Sequence, residues 1–185
     1  MNKQASRIEL KVGGRSVWQT SLADSAAINP PLARRFDVLR DDPAVRKSHL
    51  FHGRYENLYI DLDRIPQLLP VQAAVSRHAR EITSRAKLKL GFWFNDMGSG
   101  HVTTLHTHDD DDELLSAVYY IRVPADSGRL ILHAGGETLA ITPREGMLLL
   151  FPPDLAHEVE ENGSGERRLS VAFNAGPVDD DERDE

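Results

Sequence analysis

Three histidines and one arginine carry most of the chemistry this sequence can offer. His106 and His108 are separated by one residue. On a β-strand, residues two apart point to the same side, so both imidazoles can converge on one ion. Spacing alone fits two exposed polar residues at a strand end equally well. His157 follows the apolar run MLLLF and two prolines, and a lone imidazole there is either a hydrogen-bonded core residue or a ligand. Beyond the turn ENGSG, the segment RRLSVAFN sets Arg168, Ser170 and Ala172 on one strand face and Leu169, Val171 and Phe173 on the other. If the first face points inward, the guanidinium needs an anion beside it, and guanidinium with hydroxyl suits a carboxylate. If it points outward, both are ordinary surface residues. The chain has no cysteine, which removes disulfides, thiolate metal sites and thiol nucleophiles and leaves any metal to His, Asp, Glu or backbone oxygen.

The elements that must position these residues fall into two regimes that divide near residue 87. From Lys87 onward, short apolar runs are punctuated by Gly, Pro and Asp. Strands are expected at 88–94, 102–106, 115–123, 129–133, 138–141, 147–151, 156–159 and 168–173. Close spacing and tight turns (PADSG, HAGGE, PREG) indicate a barrel or sandwich rather than alternating β/α units. Before residue 87, strands are expected at 8–12, 16–18 and 55–62. A helix is expected over 70–84, where Val71, Ala74, Val75 and Ile82 recur at helical spacing, and a weaker one over 31–39. The fold class read from this is mainly β: an antiparallel double-stranded β-helix of the jelly-roll or cupin type, with supporting N-terminal helices and an interior suited to a small ligand.

At 185 residues the chain suits one domain, taken as 1–178 with a core over 88–175. Residues 179–185, DDDERDE, carry −5 of the net charge of −7 and read as a disordered acidic tail. With no cationic cluster longer than a pair, a nucleic-acid groove is not expected. No apolar run approaches the roughly 20 residues of a membrane span. The N-terminal residues are polar where an export signal would be apolar, so a cytoplasmic location is expected.

In this order, His106-x-His108, the strand LSAVYYI, SGRLIL, PREGMLLLFPPDLAHEVEEN and RRLSVAFN resemble the bacterial branch of the iron(II)- and 2-oxoglutarate-dependent oxygenases, relatives of prolyl hydroxylases. The resemblance spans roughly residues 88–175. It implies that His106, His108 and His157 bind Fe(II), and that Arg168, Ser170 and Tyr120 hold the distal carboxylate of 2-oxoglutarate, with Asn95 a weaker candidate. It further implies hydroxylation of a small-molecule or peptide substrate with release of succinate and CO2, and a homodimer as one assembly. The family's usual pattern has a carboxylate where His108 stands, so His108, Asp110 and His157 form a rival triad. The acidic run Asp109 to Glu113 reads as a solvated loop, as a hydrogen-bond partner for a ligating imidazole, or as a rim selecting a cationic substrate. Rival functions are a three-histidine iron dioxygenase that uses no oxoglutarate, a non-catalytic cupin-like metal or small-acid binder, and a structural adaptor.

Overall fold

A computed structural model describes residues 6–51, 54–108 and 112–178. The expected barrel is present as two antiparallel sheets. The N-terminal part contributes β1 (Ile8–Val12), β2 (Arg15–Ser21), β3 (Arg46–Phe51) and β4 (Arg54–Tyr59). The barrel strands proper are β5 (Lys89–Met97), β6 (Thr103–His106), β7 (Leu115–Arg122), β8 (Leu130–Ala134), β9 (Glu137–Ile141), β10 (Met147–Phe151), β11 (Ala156–Val159) and β12 (Arg168–Gly176). One sheet has eight strands in the order β1-β2-β10-β7-β12-β5-β4-β3. The other has four, β6-β11-β8-β9. Residues 1–87 therefore supply four strands of the large sheet as well as helical support. Of these, β3 had not been expected: RKSHLF is too polar to alternate.

Helix α1 (Ser25–Leu39) starts six residues before the expected Pro31 and runs through Pro30 and Pro31. The two rings remove two N–H donors, and the first-turn residues Ala26 and Ala27 are exposed, so their carbonyls can bond water instead. Helix α2 (Leu69–Thr83) lies where the apolar spacing put it. A short 3-10 turn, Pro66–Leu68, leads into it, and Ser84 ends it with φ 55°.

The large sheet is covered on both faces, which explains its continuous apolar strands. On β10, Leu148 and Leu150 join the core beneath the helices, while Met147, Leu149 and Phe151 join the core between the sheets. Strand β7 divides in the same way. Leu115, Ala117, Tyr119 and Ile121 pack toward the helices, and Tyr120 belongs to the inter-sheet core. Helix α1 is keyed by Phe36 against Phe94, ring centroids 5.0 Å apart. A buried polar link adds direction: Tyr119 Oη donates to Asn29 Oδ1 at 2.6 Å, and Asn29 Nδ2 donates to the Ile121 carbonyl at 2.9 Å. Burial and loss of water push the Tyr119 phenol upward.

Candidate metal centre and its cavity

The three histidines come together at the seam between the sheets. His106 ends β6 and lies directly opposite His157 on β11. His108 follows β6, its backbone fixed by a hydrogen bond from its N–H to the Pro153 carbonyl at 2.8 Å. Ring centroids are 4.3 Å apart for His106 and His157, 4.9 Å for His106 and His108, and 5.1 Å for His108 and His157. One nitrogen of each lies within 4.8 Å of the others.

Two of these rings are oriented by the same local device. His106 Nδ1 lies 2.7 Å from the Thr104 carbonyl, and His157 Nδ1 lies 2.9 Å from the Leu155 carbonyl. A carbonyl only accepts, so in each ring Nδ1 carries the proton and the Nε2 lone pair is left for a ligand. On Nδ1 of His106 and His157 the orienting partner is a backbone carbonyl two residues earlier. His157 is 6% exposed. Burial, then the neighbouring His106, lowers its pKa to about 3, which keeps the ring neutral and able to coordinate. Phe151 packs against it at 5.0 Å and Trp93 packs against His108 at 5.4 Å. Neutral imidazoles in a partly dry pocket form a competent nitrogen site for iron or another first-row divalent metal. Asp110 of the rival triad lies outside the described residues.

The histidines open onto a cavity of about 700 Å³, which Arg168, Ser170, Tyr120 and Asn95 also line. The face of β12 that carries Arg168 and Ser170 does point inward. Arg168 is 2% exposed. Its Nη1 donates to the carbonyls of Ser127 at 3.1 Å and Gly128 at 2.7 Å, and its guanidinium carbon sits 5.1 Å from the Tyr120 ring centroid. Arg168 Nε, Tyr120 Oη and Ser127 Oγ are all buried without a hydrogen-bond partner. Burial lowers the pKa of the guanidinium and raises that of the phenol, and the two side chains, close enough to interact, partly offset each other's shift. Buried polar groups are normally satisfied, so Arg168 Nε and Tyr120 Oη, on two residues that line the cavity, mark a place that suits an anion. Asn95 is otherwise engaged. Its Nδ2 donates to the Glu56 carbonyl at 3.0 Å and to Asn57 Oδ1 at 3.2 Å, both on β4.

Ser127 was missed because PADSG reads only as a turn. Its neighbour holds the available signal: Gly128 has φ 86°, and a Cβ there would stand 2.3 Å from the Glu160 carbonyl oxygen. Only glycine lets this loop lie close enough to β11 to aim two carbonyls at Arg168. Arg168 is also positioned from behind. Asn162, fully buried, donates to the Met97 and Glu166 carbonyls at 2.9 Å each, and Arg167 forks onto Asp96 across β12 and β5.

The remaining described histidines have plainer roles. His78 contacts Arg7 on α2, His101 accepts from the Gly98 N–H, His133 pairs with Glu158, and His49 contacts Ser48 and Asn57. In the acidic run, Asp112 pairs with Lys89 at 3.2 Å and Glu113 lines the cavity. Residues 109–111 and the 179–185 tail lie outside the described residues. Among the described residues, no helix is long and apolar enough to cross a membrane.

Residues 133–174 match the family model for 2OG-Fe(II) oxygenases, a stretch that includes His157, Arg168 and Ser170 but not His106 or His108. No curated protein matches the sequence. Solved structures share the fold. A prolyl-4-hydroxylase from Pseudomonas putida is 20% identical, over 88% of this chain and 94% of its own, with a TM-score of 0.69. A Trichoplax adhaerens prolyl hydroxylase, solved with a peptide fragment of hypoxia inducible factor, is 15% identical over 81% and 78%, TM-score 0.64. The epimerase SnoN from nogalamycin biosynthesis, solved with Fe3+, alpha ketoglutarate and nogalamycin RO, is 14% identical over 88% and 79%, TM-score 0.67. In the matched sequence from β8 to β12 and in the fold of the whole barrel, this chain is similar to the 2-oxoglutarate- and iron(II)-dependent oxygenases.

Proposed function

We propose that the protein is an Fe(II)- and 2-oxoglutarate-dependent dioxygenase that hydroxylates an organic substrate and releases succinate and CO2. The observation that carries this reading is the buried Arg168, with Tyr120 and Ser170 beside it, in the same cavity as three convergent imidazoles. A metal-only binding barrel, or a three-histidine dioxygenase without oxoglutarate, has no use for a buried arginine aimed into its cavity.

His106, His108 and His157 would hold the iron through ring nitrogens, with the Thr104 and Leu155 carbonyls fixing two of the rings. Arg168, helped by the Ser170 and Tyr120 hydroxyls, would bind the distal carboxylate of the oxoacid, giving Arg168 Nε and Tyr120 Oη a partner. Leu130, Phe151 and Val159 wall this end and exclude water, which strengthens each charge-assisted contact. When bound, iron(II) with 2-oxoglutarate supplies oxygen activation: one oxygen atom goes to succinate and the other to the substrate C–H bond. Replacing the usual carboxylate ligand by His108 leaves the centre one charge more positive.

Anaerobic addition of Fe(II) and then 2-oxoglutarate to metal-stripped protein tests this. A visible metal-to-ketoacid band that needs both additions, and that weakens at least tenfold in 2-oxoglutarate affinity in Arg168→Ala, is the expected result. Bound iron without a band would replace this reading with the oxoglutarate-independent one, and absence of bound iron would overturn both.

A further inference from the structure

The inward face of β12 continues past the arginine as Arg168, Ser170, Ala172 and Asn174, and each meets partners on the strands to either side. Ser170 lies opposite Tyr120 and Asn95, Ala172 opposite Val118 and Trp93, and Asn174 opposite Ser116 and Gly91. The cavity is thus layered: a cationic polar layer, an apolar layer with Trp93, and a second polar layer. Arg168 and Asn174 stand six residues apart on one strand, roughly 20 Å along it at about 3.3 Å per residue. A five-carbon diacid anchored on Arg168 falls well short of that span.

The second polar layer ends on a carboxylate. Ser116 Oγ donates to Asn174 Oδ1 at 3.0 Å, which turns the Asn174 amide so that Nδ2 donates to Glu113 Oε1 at 3.2 Å. The other carboxylate oxygen, Oε2, is buried with no hydrogen-bond partner. Among the described residues no cation pairs with Glu113, while the lysine of the same edge, Lys89, pairs with Asp112. Opposite Asn174, Gly91 leaves the layer open, since a Cβ built there meets nothing within 4 Å. A surface cleft also shares Gly91, Glu113 and Asn174 with the main cavity, so this end has its own approach from outside. A carboxylate oxygen buried without a donor is costly until one, best a cation, joins it. Trp93, one layer inward, offers an aromatic wall for the chain that carries such a cation.

We infer that this end of the cavity is the substrate subsite and that it takes an organic cation, a protonated amine or guanidinium, on Glu113 with Asn174 and Ser116 as its supports. The subsite's catalytic meaning rests on the oxygenase reading above. The cation enters beside Gly91 and its alkyl chain runs along Trp93 toward the imidazoles, so the carbon presented to the iron lies several bonds from the charged nitrogen.

Calorimetric titration of n-pentylammonium, and of 1-pentanol as its neutral counterpart, into the full metal-free chain tests the inference. The ammonium is expected to bind at least tenfold more tightly than the alcohol. Glu113→Gln is expected to remove that preference. Gly91→Leu, which fills the open layer without touching the carboxylate, is expected to weaken the ammonium at least tenfold and keeps the test decisive if the first variant does not fold. N-acetyl-lysine N-methylamide, run against the norleucine analogue, separates two sources of the same chemistry: tighter binding than n-pentylammonium assigns the subsite to a basic side chain of a peptide, and equal or weaker binding assigns it to a small free amine. Equal binding of ammonium and alcohol, no binding of either, or a preference that survives Glu113→Gln would overturn the inference. The titration needs neither iron nor 2-oxoglutarate, so its failure and failure of the charge-transfer test are separate results.

Discussion

The two sheets divide the labour unequally. The central strands of the eight-stranded sheet are buried on both faces, and they share the main core with the helices they carry. The four-stranded sheet is thin, and β6 is largely exposed, with Leu105 at 56%. Yet the small sheet and the loop after β6 bring the three imidazoles, while the large sheet brings the arginine and the carboxylate of the cavity. The candidate metal ligands sit where strands are short, and two of them are oriented by backbone carbonyls close by in the chain. The arginine sits on β12, one of the strands best held by packing, and Glu113 stands just before β7.

That division can be broken or sharpened by substitutions on each side. The largest effect is expected where α1 packs on the large sheet: Phe36→Ala removes the ring packed on Phe94 and should cost about 3–5 kcal/mol of unfolding free energy, read by urea denaturation, while the folded fraction still binds iron. In the small sheet, His106→Ala should weaken iron binding by at least about 100-fold, read by competition with a chelator, with its thermal midpoint within a few degrees of wild type. A loss of fold in His106→Ala, or of iron affinity in folded Phe36→Ala, would erase the distinction. Tyr119→Phe leaves Asn29 Oδ1 without its donor and should cost about 1–2 kcal/mol, again with iron affinity unchanged.

The smallest effect concerns acid. His157 has its folded-state pKa lowered to about 3 by burial and by His106, against about 6.5 unfolded. Between those values the unfolded chain binds the extra proton, so the stability contribution of a neutral His157 is full above about pH 6.5 and falls away as pH drops toward 3. The metal-free protein should therefore lose about 1 kcal/mol between pH 7 and pH 5.5, and His157→Gln should lose less over the same interval. An equal loss in both would move the acid sensitivity to other groups, such as His78, whose pKa is also lowered by burial.

Much of the barrel was legible because short strands with one purpose per face leave a period-two record. The runs at Met147–Phe151 and Ala156–Val159 have the expected boundaries, and the others shift by a few residues. Strand β3 left no such record because Arg46, Lys47 and His49 lie on a sheet edge, where burial does not dictate residue type. The start of α1 was hidden because proline more often opens a helix than stands in its second turn. The Ser127 carbonyl that holds Arg168 and the cavity carboxylate Glu113 could not be singled out, since one sits in an ordinary turn sequence and the other ends a run of acids.

The order of residue types along the chain by itself determined which chemistry was available: imidazoles two apart, a lone imidazole after an apolar strand, and arginine and serine sharing one strand face, all without thiols. Local periodicity is a property of neighbouring residues, so these follow from the sequence directly. Only the tertiary structure decided that the shared face points inward, that His106 stands opposite His157, and that Arg168 stands beside Tyr120 in a cavity that also carries Glu113. Those facts depend on strand pairings between residues far apart in the chain, and the hydrophobic burial that selects such pairings acts on the whole sheet rather than on any one motif.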